Sequence, residues 1–210
     1  MDPAVSFLSV FAIYIPALIL PGPDFIAVVR ASMMRGTAAG LMTTVGVAIG
    51  LGFYAAVSML GLSAVLTQYE WLAWAVRVAG GCYLIYLGIR LLMTKSAEID
   101  ISREERGVRG NALLLGLFVT LTNPKAIVLF ASVFATSVTA STPGWLMALM
   151  IVLVTGCALA WYSFVSLCMS SGPVVRSLSS AKHWVERAAG VCFVGIGTRI
   201  LADSRNPLST

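Results

Sequence analysis

Two short motifs hold the residues of this sequence best suited to chemistry: Pro21-Gly22-Pro23-Asp24 and Asn123-Pro124-Lys125. Each sets a helix breaker beside a charge inside an apolar run. Proline lacks an amide proton and clashes with the preceding turn, so a helix that carries it kinks or breaks. Backbone groups freed at membrane depth are tolerated only inside protein or beside water. A lone carboxylate or ammonium is costly in hydrocarbon unless paired or hydrated. Together, Asp24 and Lys125 complement a zwitterion. Lys125, with the N-termini of half-helices that begin after Pro23 and Pro124, can take a carboxylate, and Asp24 an ammonium. Asp24 is also the candidate proton-coupling group, because burial penalises a charged carboxylate and favours proton uptake. The same residues can instead be structural, with Asp24 and Asn123 capping half-helices and Lys125 pairing with Asp24. The candidate substrate-binding set is therefore Pro21, Gly22, Pro23, Asp24, Asn123, Pro124 and Lys125.

The elements that must position these residues are membrane helices. Of 210 residues, 59% are hydrophobic and 11% charged, against about a quarter charged in ordinary soluble domains. The stretches 36–69 and 126–175 contain no charge at all. A helix needs roughly 20 apolar residues to cross a bilayer. The sequence predicts an all-α membrane protein of six transmembrane helices, over about 4–31, 40–66, 71–93, 111–138, 145–170 and 184–202. The first and fourth are broken at proline. Ser170 to His183 reads as a loop, and the apolar N-terminal stretch as a retained first span, since no basic segment precedes it.

Charge sets the orientation. The loops after the first, third and fifth spans hold Arg30, Arg35, Arg90, Lys95, Arg103, Arg106, Arg109, Arg176, Lys182 and Arg187, while the other side has Arg77, Arg199 and Arg205. The basic excess belongs in the cytoplasm, so both termini face outward. The halves also resemble each other. Arg77, Cys82, Gly88 and Arg90 align with Arg187, Cys192, Gly197 and Arg199 across a one-residue gap. Residues 1–93 and 111–210 are thus read as two three-span repeats, joined by a cytoplasmic linker at 94–110 and inserted in opposite senses, a common transporter plan.

Several function classes are weakened by the rest of the composition. The net charge of +5 lies at span ends without a nucleic-acid motif, so the partners expected are the lipid bilayer and a small amino-acid-like molecule. Cys82, Cys157, Cys168 and Cys192 form no CxxC pair, so neither metal nor cofactor is implied. The one histidine, His183, and one deep carboxylate do not make a catalytic constellation, so no enzyme is expected. A cation exporter using Asp24, or a non-transporting membrane scaffold, are the alternatives. One carboxylate is a poor cage for a divalent ion. Gly46 and Gly50 form a GxxxG that permits close helix approach, within the chain or in a homodimer. Tyr54, Thr43, Thr44 and Ser58 can line a path or bond to backbone, and Trp71, Trp74 and Trp145 suit an interfacial belt.

PGPDFIAVVRASMMRGTAAGL at 21–41, AGGCYLIYLGIRLL at 79–92 and NPKAIVLF at 123–130 together resemble the LysE/RhtB family of amino-acid exporters over nearly the whole chain. The resemblance implies a secondary transporter of the bacterial inner membrane that exports amino acids or close derivatives, driven by the proton gradient. Members of that family vary at the residue after PGP, so Asp24 here is a candidate for tuning substrate or coupling.

Overall fold

The computed structural model describes residues 3–66, 70–93, 111–123, 125–127, 129–131, 142–169 and 172–204. Every regular element among them is an α-helix: α1 (Pro3–Ile19), α2 (Pro23–Arg35), α3 (Thr37–Leu66), α4 (Glu70–Met93), α5 (Ala112–Leu121), α6 (Lys125–Ala131), α7 (Gly144–Met169) and α8 (Gly172–Asp203). The linker at 94–110, Pro124 and the side chains of Arg77 and His183 lie outside the described residues.

Two of the helix junctions are sharp bends within an apolar segment. The axes of α1 and α2 differ by 43°, and those of α5 and α6 by 59°. At the first bend, Leu20 still donates its amide to Pro16 at 3.1 Å; the next residue, Pro21, has no amide proton to give. Gly22 is extended (φ −146°, ψ −170°) and Pro23 opens α2, where its fixed φ suits a first helical turn. At the second, the Asn123 backbone carbonyl accepts from Ile127 at 3.1 Å, and its side chain accepts from the Lys125 amide at 3.1 Å. Asn123 is thus the N-cap of α6.

By length and composition, Thr37–Met59 and Gly144–Cys168 can cross a membrane, and up to four crossings result if each bent pair is one span. Outward faces carry large apolar side chains such as Ile49, Phe53, Phe118 and Val152, as contact with lipid tails requires. Trp71, Trp74 and Trp145 are all exposed near helix starts. One expectation is overturned. The stretch read as a loop up to His183 is helical from Gly172 onward, as the first part of α8. Its serines and charges look like a loop by composition, yet no Gly or Pro interrupts the chain between Pro173 and Gly190, so nothing forces the helix to stop.

In lipid, helices gain little by hiding apolar surface from one another, and close packing with small residues takes over. A Cβ on Gly46 would collide with the Leu113 carbonyl, one on Gly116 with the Thr43 carbonyl, and one on Gly50 would lie 2.8 Å from Thr120. The GxxxG of α3 is therefore turned toward α5 of the same chain, and the order of these contacts makes α3 and α5 run in the same direction. Gly81 faces Gly197 and Gly88 faces Gly190, so α4 and α8 run in opposite directions. Tyr14 donates to the Val154 carbonyl at 2.8 Å, and Ser32 bonds Ser166 at 2.9 Å. The α1–α2 pair and α7 therefore run together. Val10, Ile13, Val28, Val47, Val154 and Ala158 fill the space between α1, α2, α3 and α7 with almost no exposure.

Candidate functional site at the two helix breaks

The two broken segments meet. A cavity of about 30 Å³ is lined by Gly22 and Asp24 from the first break and by Asn123 and Lys125 from the second, with Tyr14, Leu51, Phe130 and Tyr162 among its other walls. That is room for a water or two, far below the several hundred Å³ of a typical small-molecule pocket. Of the residues singled out by sequence, Gly22, Asp24, Asn123 and Lys125 share this cavity, Pro21 and Pro23 flank it without lining it, and Pro124 is outside the described residues.

Asp24 stands in the first turn of α2 and is buried at 7% exposure. Thr120 donates to one carboxylate oxygen at 3.0 Å and Asn123 Nδ2 to the other at 3.1 Å. Asn123 thus works twice, its oxygen capping α6 and its nitrogen holding Asp24 from across the break. Both donors favour the ionised carboxylate.

Lys125 departs from the structural alternative. Its ammonium is not paired with Asp24: no ion pair within 4.0 Å joins these two described residues, and Nζ instead donates to the Ala17 carbonyl at 3.2 Å. The reason lies four residues on. In an unbroken helix the Ala17 carbonyl would accept from the amide of residue 21, which here is proline. The ammonium fills the place of the missing amide proton. The second break has a parallel orphan. The Leu121 carbonyl would accept from the Lys125 amide, which goes to Asn123 instead; Tyr54 supplies its hydroxyl at 2.6 Å. Each break is therefore closed by a side chain from another part of the fold.

Thr120, Tyr14, Tyr162 and the Ala17 carbonyl were not singled out by sequence. Thr120 had a faint signal, since its place three residues before Asn123 puts both on one helix face. Tyr54, Thr43 and Thr44, candidates for a path, all bond to backbone carbonyls, those of Leu121, Ala39 and Gly40. Among the described residues, no three of His, Cys, Asp and Glu come together to hold a metal ion. The cysteines are free thiols.

Comparison with known proteins places this sequence in a family. The LysE type translocator family matches residues 15–204. The threonine efflux protein of Escherichia coli (strain K12) is 30% identical over 202 residues, 93% of this chain and 97% of that protein. The threonine efflux protein of Salmonella typhi has the same identity and coverage. The leucine efflux protein of Salmonella choleraesuis (strain SC-B67) is 28% identical over 188 residues, 87% of this chain and 88% of its own length. No solved structure matches. The chain belongs to the LysE type translocator family, and is a membrane translocator rather than an enzyme.

Proposed function

From that membership we propose that the chain exports amino acids or close derivatives from the bacterial cytoplasm, as a proton-driven secondary transporter with its substrate site at the two helix breaks. The observation that carries the site assignment is the convergence of a carboxylate and an ammonium, from two broken helices, on one small cavity. An amino acid offers the complementary charges. Its carboxylate takes Lys125, and its ammonium takes Asp24 together with the Ala17 carbonyl that Lys125 leaves. Gly22 lines the cavity beside Lys125, and a Cβ there would make ordinary contact with Nζ at 3.6 Å. Pro21 and Pro23 keep the first helix open at this point. The efflux proteins that the chain resembles, named for threonine and leucine, support this substrate class. Lys125 on the wall that Asp24 occupies weighs against a metal-cation cargo.

The cavity is smaller than an amino acid, so transport requires α1–α2 and α5–α6 to separate around it. Six spans in two inverted repeats suit such a motion. The helix directions support this plan: α1–α2 with α7, α3 with α5, and α4 against α8 are the senses that two oppositely inserted halves require. The glycine contacts add support. Gly88 aligns with Gly197, and Gly190 with Gly80, so the Gly88–Gly190 contact matches the Gly197–Gly81 contact to within one residue. Two-fold related helices meet in this reciprocal way. Asp24 is the group proposed to take up and release the coupling proton.

A screen in proteoliposomes with an imposed pH gradient tests the proposal. Uptake of labelled amino acids should exceed that of protein-free liposomes and rise with the gradient. No amino acid moving above background would end the export reading, and transport indifferent to the gradient would remove the proton.

A further inference from the structure

Tyr162 is buried at 3% exposure in α7 and lines the cavity between the two breaks. Its phenol lies within electrostatic reach of Asp24 and Tyr14. The polar groups around it are committed: Tyr14 to the Val154 carbonyl, Tyr54 to Leu121, Thr120 and Asn123 to Asp24, Lys125 to Ala17. The Tyr162 hydroxyl has no hydrogen-bond partner among the described residues. Trp161 Nε1 is the one described side-chain nitrogen or oxygen that is both sealed and unpartnered. The Tyr162 oxygen therefore keeps accessible surface, and the cavity is the space it faces.

We infer that Tyr162 is a specificity-determining residue of the translocator, and that its hydroxyl hydrogen-bonds a polar atom on the substrate's side chain. The inference rests on the amino-acid reading of the site. There, the two ends of the zwitterion already have partners in Lys125, Asp24 and the Ala17 carbonyl. The remaining walls of the cavity include the apolar Leu18, Leu51, Leu129 and Phe130. A buried hydroxyl left unpaired carries a desolvation cost, and it selects for a ligand that satisfies it. Sites built around such a group reject the isostere that lacks it. The class favoured is a small amino acid with one short hydrogen-bonding group, over its apolar isostere.

Matched pairs in proteoliposomes test this: serine against alanine and threonine against valine, as kcat/KM for each. The wild-type protein should favour the hydroxylated member of at least one pair by on the order of tenfold, the worth of one well-placed hydrogen bond. Tyr162→Phe should bring that ratio to within about twofold, chiefly by lowering transport of the hydroxylated member. Thr155→Val, in the same helix but off the cavity, is the control. Its hydroxyl is held by the Ile151 carbonyl, so the variant should keep the ratio. A ratio unchanged in a Tyr162→Phe protein that still transports would overturn the inference and leave the export reading intact. So would a wild-type protein with no preference in either pair, which decides the matter even if the variant fails to assemble. Wild-type protein that moves no amino acid would overturn both.

Discussion

Lys125→Met isolates the part of the first break that sequence and geometry explain together. The Lys125 ammonium donates to the Ala17 carbonyl at 3.2 Å, and position 21, whose amide would otherwise serve that carbonyl, is proline. Methionine keeps the length and apolar stem of the side chain and removes the donor. A buried carbonyl left unsatisfied costs roughly 1–3 kcal/mol. Removing a charge that burial disfavours offsets part of this, so the net loss should be about 1–2 kcal/mol. At roughly 2–4 °C per kcal/mol for a chain of this size, the melting temperature in detergent should fall by a few degrees. The decisive variant adds Pro21→Ala to Lys125→Met. It supplies an amide proton at position 21, in line with the helical bond that Leu20 makes to Pro16, and should restore more than half of the lost stability. Transport in proteoliposomes should stay absent in both variants, because the group proposed to take the substrate carboxylate is gone. If Lys125→Met melts with the wild type, or the double variant is no more stable than the single one, the carbonyl-capping argument is wrong.

The contacts lead to three further outcomes. Asp24 and Lys125 do not touch, but they line one cavity, attract each other and share Asn123, so a double-mutant cycle of Asp24→Asn and Lys125→Met should give a stability coupling of about 0.5–2 kcal/mol; a coupling of roughly 3–5 kcal/mol would restore the direct pair. Gly46→Ala drives a Cβ into the Leu113 carbonyl and should sharply lower the yield of monodisperse protein, whereas Gly144→Ala, with nothing within 4 Å, should not; equal yields would refute the close approach of α3 and α5. A single cysteine at position 106, on a cysteine-free background, should resist an impermeant thiol reagent added outside intact cells, and labelling there would reverse the orientation.

Covalent chemistry local to each residue is the part of the site that the sequence made legible. Pro21, Pro23 and Pro124 lack amide protons wherever the chain goes, so the breaks could be located without a structure. That Asp24 and Lys125 would approach a common space came from the alignment of the two halves, which places the breaks in corresponding spans. The partner of each charge was not legible. Lys125 is drawn to Ala17 by a vacancy that Pro21 creates 104 positions earlier in the chain, and the choice between that carbonyl and Asp24 is a matter of ångströms set by the tertiary packing of α1 against α6. Thr120 was hidden for a related reason. A hydroxyl on an apolar helix has a default partner in its own backbone, as Thr43, Thr44 and Thr155 have, and nothing local marks the one that reaches another helix. The start of α8 failed differently. Serine and charge suggest a loop by composition, but only Gly, Pro or a competing cap ends a helix, and the chain has neither Gly nor Pro from Val174 until Gly190.

The breaks also explain how a small cavity can exchange its contents without stranding polar groups in the membrane. In the closed arrangement one orphaned carbonyl at each break and the buried carboxylate have internal partners: Ala17 has Lys125, Leu121 has Tyr54, and Asp24 has Thr120 and Asn123. On the proposed reading, an arriving amino acid substitutes for one of these bonds at a time. Its ammonium replaces Lys125 at the Ala17 carbonyl and shares Asp24, while its carboxylate receives the displaced Lys125. Each polar group then trades one partner for another, and the desolvation that would accompany an open bond in a low-dielectric interior is avoided. A ligand with only one of the two charges leaves either Lys125 or the Ala17 carbonyl unsatisfied. Amines without a carboxylate and acids without an ammonium should therefore compete poorly against labelled substrate, even at the same side-chain size. Inhibition by a simple amine as strong as that by its parent amino acid would mean that Lys125 never leaves Ala17, and that it is a structural cap with no part in binding.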